Sequence, residues 1–209
     1  MSHWHEEPGR VRHVYRRLHS GWVGAACLGT GNLESRPDAQ IIFPGSFNPF
    51  HQGHRRMAEL AQLQLGRPVS FELSLVNVDK PNLSEDAVWE RCRQFSTGDT
   101  LWLTRAATFA EKARLFPRSW FVIGIDTLQR IVDPSYYGGE IPQRDRSLRA
   151  LMKRQSQFLV FGRAYQGQFL TLSDVELPDD FASYCRGVSE SDFRDDISSR
   201  AIRAEKDAT

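Results

Sequence analysis

The sequence predicts an α/β fold with a doubly wound parallel sheet of about five strands and helices on both of its faces. Short apolar runs alternate with segments whose apolar residues recur at helical spacing. This alternation is typical of parallel strands joined by right-handed helical crossovers. A chain of 209 residues is also long enough to bury one sizeable α/β core. We therefore expect a Rossmann-like sheet, with a ligand lying across the carboxyl ends of its strands.

The predicted elements follow one another from residue 39 onwards. The first strand, 41–43, reads Ile-Ile-Phe and suits burial on both faces. Further apolar runs predict strands at 69–78, 101–103, 120–125 and 157–161. Helical spacing predicts helices at 55–65, 84–95, 108–115, 127–132 and 144–155. Residues 1–38 are polar and basic, so we expect an N-terminal extension, partly helical over 11–18, ahead of a domain spanning 39–209.

The composition argues against several classes of protein. Lys and Arg number 27 and Asp and Glu number 26, which gives a net charge of +1. The composition therefore lacks the excess of basic residues that is typical of nucleic-acid-binding proteins. The three cysteines are scattered without the spacing of zinc ligands, which is typical of a reducing compartment and predicts no protein metal site. No apolar stretch approaches membrane-spanning length. We expect a cytoplasmic protein without nucleic-acid or membrane partners, and homo-oligomer formation stays open.

The segment between the first strand and the first helix carries the strongest chemical signal, Gly-Ser-Phe-Asn-Pro-Phe-His-Gln-Gly-His at 45–54. Gly45 and Gly53 let the backbone approach a ligand closely. The helix that begins near Gly53 presents unpaired N–H groups and a positive dipole end to phosphate. His51 and His54 would then face a bound anion. The alternative is that both are ordinary loop and helix-start residues, but the motif and its context agree.

Three other segments of the chain carry candidate residues for the same site. Ser198 and Ser199 at a predicted helix start can bind phosphate, with Arg203 about one turn later, although a serine pair there can also be a simple helix cap. Lys80 follows the strand 69–78 and would overhang the phosphates, or it is a solvated lysine paired with its neighbour. Asp126 can accept hydrogen bonds from a ribose, cap a helix, or do both.

These segments resemble motifs of the nucleotidylyltransferase superfamily. Residues 45–54 resemble its Gly-x-Phe-[Asn/Asp]-Pro-x-His-x-Gly-His signature, and 196–203 resemble its Ile-Ser-Ser-Thr-x-Ile-Arg motif, with Arg200 in place of the usual threonine. Residues 124–128 resemble the Gly-x-Asp-x-Leu segment that borders the nucleotide ribose. The middle of the chain resembles a less characterised branch of the superfamily. The resemblance implies nucleotide-binding residues at Gly45, Ser46, Phe47, Asn48, Gly53, Gly124, Asp126, Ser198 and Ser199.

The resemblance also implies a reaction. ATP would donate AMP to a phosphate-bearing acceptor, nicotinamide or nicotinate mononucleotide, as in NAD biosynthesis, with Mg²⁺ assisting and pyrophosphate leaving. His51, His54, Lys80 and Arg203 would stabilise the charge that builds on the phosphates. Asn48, where cytidylyltransferases commonly have aspartate, favours the pyridine-nucleotide branch. The alternatives are a cytidylyl- or adenylyltransferase for another acceptor, such as a phosphopantetheine-like or alcohol phosphate, and a nucleotide-binding module with little catalysis.

Overall fold

The computed structural model describes residues 7–28, 40–78, 81–165, 167–195, 199 and 202–204. These residues form nine strands and seven α-helices. The strands are β1 Ala25–Cys27, β2 Ile41–Pro44, β3 Val69–Ser74, β4 Thr100–Thr104, β5 Trp120–Gly124, β6 Gln157–Phe161, β7 Arg163–Tyr165, β8 Gln168–Leu170 and β9 Cys185–Gly187. The helices are α1 Pro8–His19, α2 Gln52–Leu65, α3 Glu85–Cys92, α4 Phe109–Leu115, α5 Ile125–Val132, α6 Ile141–Lys153 and α7 Asp179–Ala182.

Seven of the described strands form one sheet in the order β1-β4-β3-β2-β5-β6-β9. All neighbouring pairs are parallel except β1 with β4. The chain runs outwards from β2 through β3 to β4 and then crosses to β5 on the other side of β2. The strand order therefore reverses between β2 and β5, which is where doubly wound sheets bind their ligands. Strands β7 and β8 form a separate antiparallel hairpin.

Two apolar cores cover the faces of this sheet. One contains Val11 and Leu18 of α1, Ala61 of α2 and Val88 of α3. The other contains Ala113 of α4, Leu128 of α5, Leu148 of α6 and Phe181 of α7. The predicted parallel sheet with helices on both faces is confirmed. Among the described residues, no helix combines the length and the apolar character needed to cross a membrane.

Two edge strands extend the sheet beyond the five predicted strands. Strand β1 lies within the predicted N-terminal extension, and α1 contributes fully buried Val11 and Leu18 to the core. Residues 8–28 thus pack against the sheet, whereas the boundary after Asp38 lies outside the described residues and stays a prediction. The predicted strand 69–78 ends earlier, at Ser74, because its partner β4 ends at Thr104, whose carbonyl accepts the last bond from the N–H of Leu75.

A buried ion pair joins β3 to α4. The Nζ of Lys112 lies 2.8 Å from both carboxylate oxygens of Glu72 and also donates to the carbonyl of Ala106 at 2.8 Å. The hydroxyl of Thr104 donates to the same carboxylate at 2.5 Å. Both charged side chains are almost completely buried. Because each of the three donors of the ammonium has an acceptor, the pair is compatible with burial and holds the turn that follows β4.

Candidate active site

A cleft of about 1060 Å³ lies at the carboxyl ends of β2, β5 and β6. One wall is formed by Gly45 and Ser46 at the beginning of the 45–50 loop together with the start of α2, and the other by α5 and the β7–β8 hairpin. It lies at the point where the strand order reverses, as expected for a ligand site in this type of sheet. Five of the predicted site residues in α2 and the loops line it, namely Gly45, Ser46, His51, Gly53 and His54. Gly124, Asp126, Ser199 and Arg203 line it as well.

The 45–50 loop is held in place by a buried phenylalanine. Phe47 is fully buried, with its ring edge-on to Phe43, Phe71 and Phe95 at centroid distances of 5.2–5.8 Å. Its backbone φ is 45°, a left-handed conformation that costs a non-glycine residue free energy. Because the whole residue is buried, Phe47 shapes the loop from within the core, and neither Phe47 nor Asn48 is among the residues that line the cleft.

Gly45 is required by this packing. A Cβ atom at position 45 would lie 2.6 Å from two ring carbons of Phe47. Gly53 is constrained in a similar way, because its Cβ would lie 3.1 Å from the ring of His51 and from Oδ2 of Asp195. Both motif glycines are therefore needed for close packing around the loop and the start of α2.

His51 and His54 stack on each other at the start of α2. Their ring centroids are 3.8 Å apart. His51 precedes the first residue of α2, and its backbone N–H donates to Nδ1 of His54 at 3.2 Å. Since Nδ1 of His54 accepts this bond, the neutral ring carries its proton on Nε2. His54 thus presents Nε2–H as a hydrogen-bond donor for a ligand in the cleft.

The environment keeps both rings neutral at ordinary pH. Burial lowers the pKa of His54 to about 3, and the nearby ring of His51 adds a smaller effect in the same direction. Burial also lowers the pKa of His51, although the carboxylate of Asp195 partly offsets this. The Nδ1 of His51 is buried and finds no hydrogen-bond partner among the described residues. Neutral donors in a partly buried site can stabilise a growing negative charge with less screening by water than at an exposed surface.

Asp195 is a site residue that sequence reasoning missed. Its side chain is only 6% exposed, lines the cleft and lies 3.2 Å from Nη1 of Arg56 on α2. The carboxylate also packs against Gly53, beside the ring of His51. Its place directly before the 196–203 segment was the only sign of such a role in the sequence, because Asp195 occupies no position of the motif. Asp195 is therefore the carboxylate closest to the stacked histidines in the described part of this wall.

The second motif reaches the same wall of the cleft. Ser199 and residues 202–204 have helical backbone. The hydroxyl of Ser199 donates to the carbonyl of Pro49 at 2.9 Å, and Nη1 of Arg203 donates to the carbonyl of Asn48. The structure thus brings Ser199 and Arg203 onto the 45–50 loop, 150 residues earlier in the chain. Lys80, Ser198 and Arg200 lie outside the described residues.

The predicted ribose contact lies on the opposite wall. Helix α5 begins at Ile125 with Gly124 as its N-cap residue, so Asp126 is in the first turn and is not the cap. The carboxylate of Asp126 accepts a hydrogen bond from Arg163 of the β7–β8 hairpin at 3.2 Å, and both side chains are partly exposed. Asp126 keeps acceptor capacity for a second donor, because a carboxylate has about four lone-pair positions. Arg163 is a further cleft residue that no sequence motif marked.

Comparison with known proteins agrees with this geometry. None of the curated proteins compared matches the chain. A family model described as cytidylyltransferase-like matches residues 42–205, which include the 45–54 segment, the 124–128 segment and the 196–203 segment. That match spans well over half of the chain, from the first parallel strand to the helical residues after Ser199. The chain therefore belongs to the cytidylyltransferase-like family of the nucleotidyltransferase superfamily.

Proposed function

We propose that this protein transfers AMP from ATP to the phosphate of nicotinamide or nicotinate mononucleotide. A phosphate oxygen of the acceptor attacks the α-phosphorus of ATP and forms the new P–O bond. The bond between the α-phosphorus and the oxygen that bridges to the β-phosphorus breaks, and pyrophosphate leaves with the electron pair. The observation that carries the proposal is the stacked pair His51 and His54 at the start of α2, facing a cleft at the strand-order reversal.

The proposed roles follow from the positions of the side chains. The Nε2–H of His54 donates to an oxygen of the α- or β-phosphate, and His51 beside it assists. The N-terminus of α2 adds a partial positive charge at the same place. Arg203 approaches from the second motif, and we assign Lys80 the same kind of contact from its position after β3. Catalysis then comes from orientation and from stabilising charge on the phosphates, without a covalent enzyme intermediate.

We expect the Mg²⁺ ion to bind mainly through the phosphates of ATP. No group of three or more His, Cys, Asp or Glu side chains arranged to hold a metal occurs in the part of the chain that the structure describes. Mg²⁺ commonly binds through substrate phosphates with at most one or two protein carboxylates. When bound with the triphosphate it would neutralise charge on the phosphate oxygens. Asp195, which pairs with Arg56, is the carboxylate that would lie nearest to it on the histidine wall of the cleft.

Two features support a pyridine mononucleotide as the acceptor. Asn48 stands at the position where the resemblance favours the pyridine-nucleotide branch. Tyr136, in the turn after α5, lines the cleft with 44% of its surface exposed, so its ring can stack on a flat heterocycle. The second candidate is transfer of CMP from CTP, which the description of the matching family favours.

Pyrophosphate release tests the proposal and separates the candidates. ATP and CTP are each paired with nicotinamide mononucleotide, nicotinate mononucleotide, phosphopantetheine and glycerol 3-phosphate. We expect release with ATP and a pyridine mononucleotide, and a loss of about 10²- to 10³-fold in kcat for His54→Asn, which keeps the acceptor for the N–H of His51 but removes Nε2–H. Release only with CTP would select the second candidate. Tight ATP binding without release from any acceptor would identify a nucleotide-binding module.

A further inference from the structure

A chain of stacked side chains leads from the turn before β4 to the second histidine of the cleft. The ring of Phe50, in the 45–50 loop, stacks on the ring of His54, with centroids 5.4 Å apart and planes at 21°. The guanidinium carbon of Arg55, on α2, lies 4.9 Å from the centroid of Phe50. Nη1 and Nη2 of Arg55 donate to the two carboxylate oxygens of Asp99, at 2.5 Å and 2.9 Å. We refer to Phe50, Arg55 and Asp99 as the Phe50 stack.

The Phe50 stack lies behind the cleft wall. None of its three residues is among those that line the cleft. Arg55 directly follows the 45–54 segment, so its position in the sequence suggests a phosphate ligand. Its guanidinium instead pairs with Asp99, whose side chain is only 8% exposed. Any effect of these residues on a ligand in the cleft must therefore act through His54.

Asp99 anchors the far end of the stack. Its Oδ2 also accepts hydrogen bonds from the backbone N–H and the hydroxyl of Ser96, at 2.8 Å and 2.9 Å. Burial by itself would raise the pKa of Asp99, but the hydrogen bonds from Arg55 and Ser96 outweigh it and hold the pKa below its usual value. The carboxylate therefore stays charged, and its two bonds to Arg55 fix both the position and the plane of the guanidinium.

Phe50 is fixed from other directions as well. Its ring packs against Phe71 and Phe95, with centroid distances of 5.5 Å and 4.8 Å. Its backbone N–H donates to the side-chain oxygen of Gln94 at 2.8 Å. The cation of Arg55 near the ring adds an electrostatic attraction that depends on this placement. Phe50 thus offers His54 a flat surface whose position is set by several elements of the fold.

His54 depends on such a surface for its orientation. In the described part of the chain, one hydrogen bond holds its ring, from the N–H of His51 to Nδ1 at 3.2 Å. The χ2 torsion of a histidine has no sharply defined minimum, so one bond leaves the ring free to tilt. Stacking on Phe50 restricts that tilt, and the ring of His51 at 3.8 Å restricts it further. The direction of Nε2–H is therefore set in part by the Phe50 stack.

We propose that Phe50, Arg55 and Asp99 are positioning residues, which hold the ring of His54 so that its Nε2–H points at the reacting phosphates. The effect on catalysis rests on the proposed function. The orientation and tautomer of His54 do not, because they are properties of the protein without substrate. The role of the Phe50 stack can therefore be measured both with and without turnover.

Steady-state kinetics of Phe50→Leu test the effect on catalysis. This change removes the flat ring and keeps an apolar side chain. We expect kcat to fall about tenfold and the KM for ATP to change by less than about threefold, because a misplaced donor is lost mainly in the transition state. The matched control is Phe109→Leu, the same change at a half-buried phenylalanine that packs against Phe121 on the other face of the sheet. Its kcat should equal that of the wild type.

The tautomer of His54 is the second measurement. Long-range ¹H–¹⁵N correlation spectra of the imidazole ring distinguish a proton on Nε2 from a proton on Nδ1. We expect the Nε2–H form alone in the wild type and in Phe109→Leu, and both forms in Phe50→Leu, because a tilted ring loses the bond from His51 to Nδ1. A loss of stability by itself would leave the tautomer of the folded protein unchanged.

A double-mutant cycle tests whether Arg55 acts through Phe50. Arg55→Met should lower kcat about threefold in the wild type and by less than about twofold in Phe50→Leu, where no ring remains to be held. If Arg55→Met does not fold, Asp99→Asn takes its place in the cycle, since the amide still accepts from Ser96 but loses the charge that holds Arg55. Equal losses in the two backgrounds would contradict the role of Arg55.

The positioning role is wrong if Phe50→Leu keeps the wild-type kcat or a single His54 tautomer, or if Phe109→Leu loses as much kcat as Phe50→Leu. Failure of the proposed function gives a different result. In that case the wild type releases no pyrophosphate with any substrate pair, while the tautomer of His54 still changes in Phe50→Leu. The two proposals can therefore be rejected separately.

Discussion

Lowering the pH should destabilise this protein through His54. The pKa of His54 is about 3 in the folded state because burial disfavours the charged ring. In the unfolded chain the histidine pKa is near 6.5. The unfolded state therefore binds a proton that the folded state does not, and the difference begins as the pH falls below 6.5. The unfolding free energy is therefore unaffected by His54 above pH 6.5, and it falls progressively as the pH is lowered from 6.5 to 3.

The loss of unfolding free energy depends on how much of the interval between pH 6.5 and pH 3 is crossed. Each pH unit within that window costs roughly 1.4 kcal/mol of unfolding free energy for one proton. Between pH 7.5 and pH 5.0 about 1.5 units lie inside the window, so His54 should account for up to about 2 kcal/mol. This is an upper value because the ring lies at the wall of a cleft and is partly screened by water.

Urea unfolding at the two pH values measures the effect. The comparison is between wild type and His54→Asn, whose side-chain oxygen can still accept the N–H of His51. The loss of stability from pH 7.5 to pH 5.0 should be smaller in the variant by up to about 2 kcal/mol. His13→Asn, which replaces an exposed histidine on α1, is the matched control. The reasoning is refuted if His54→Asn retains the full pH dependence, or if an NMR titration of His54 gives a midpoint near 6.5.

Three further outcomes are expected. Gly45→Ala places a Cβ 2.6 Å from a buried phenyl ring and should lower the unfolding free energy by about 1–3 kcal/mol, whereas Gly98→Ala, with nothing within 4 Å, should not. Lys112→Met leaves the carboxylate of Glu72 buried without its cation and should lower the unfolding free energy, measured in urea, by about 3–5 kcal/mol. The double variant with Glu72→Leu should regain most of that unfolding free energy. Asp126→Asn should weaken ATP binding about tenfold and remove any preference for ATP over 2′,3′-dideoxy-ATP in calorimetry, and an unchanged preference would exclude the ribose contact.

The central strands could be predicted from the sequence because both of their faces are buried. Strands β2, β5 and β6 read as continuous apolar runs, so their positions were visible without any knowledge of their neighbours. The edge strands β1 and β9 have three residues each, which is too short for a recognisable strand pattern, and β9 also contains Arg186. They exist because β4 and β6 offer unpaired backbone groups at the rim of the sheet. That is a property of the assembled fold and is not encoded in a local pattern.

The candidate site also has features that the sequence determines and features that depend on the fold. The sequence by itself determined the order of chemical groups in the 45–54 segment, and with it the glycines, the two histidines and the place where a helix begins. Tertiary structure alone decided the protonation of His54, because a pKa depends on burial and on neighbouring charges. It also brought Asp195 and Arg163 to the cleft by crossover connections. A hydrogen bond between residues far apart in the chain forms only where the fold provides the required distance and angle, so it cannot be predicted from residue spacing in the sequence.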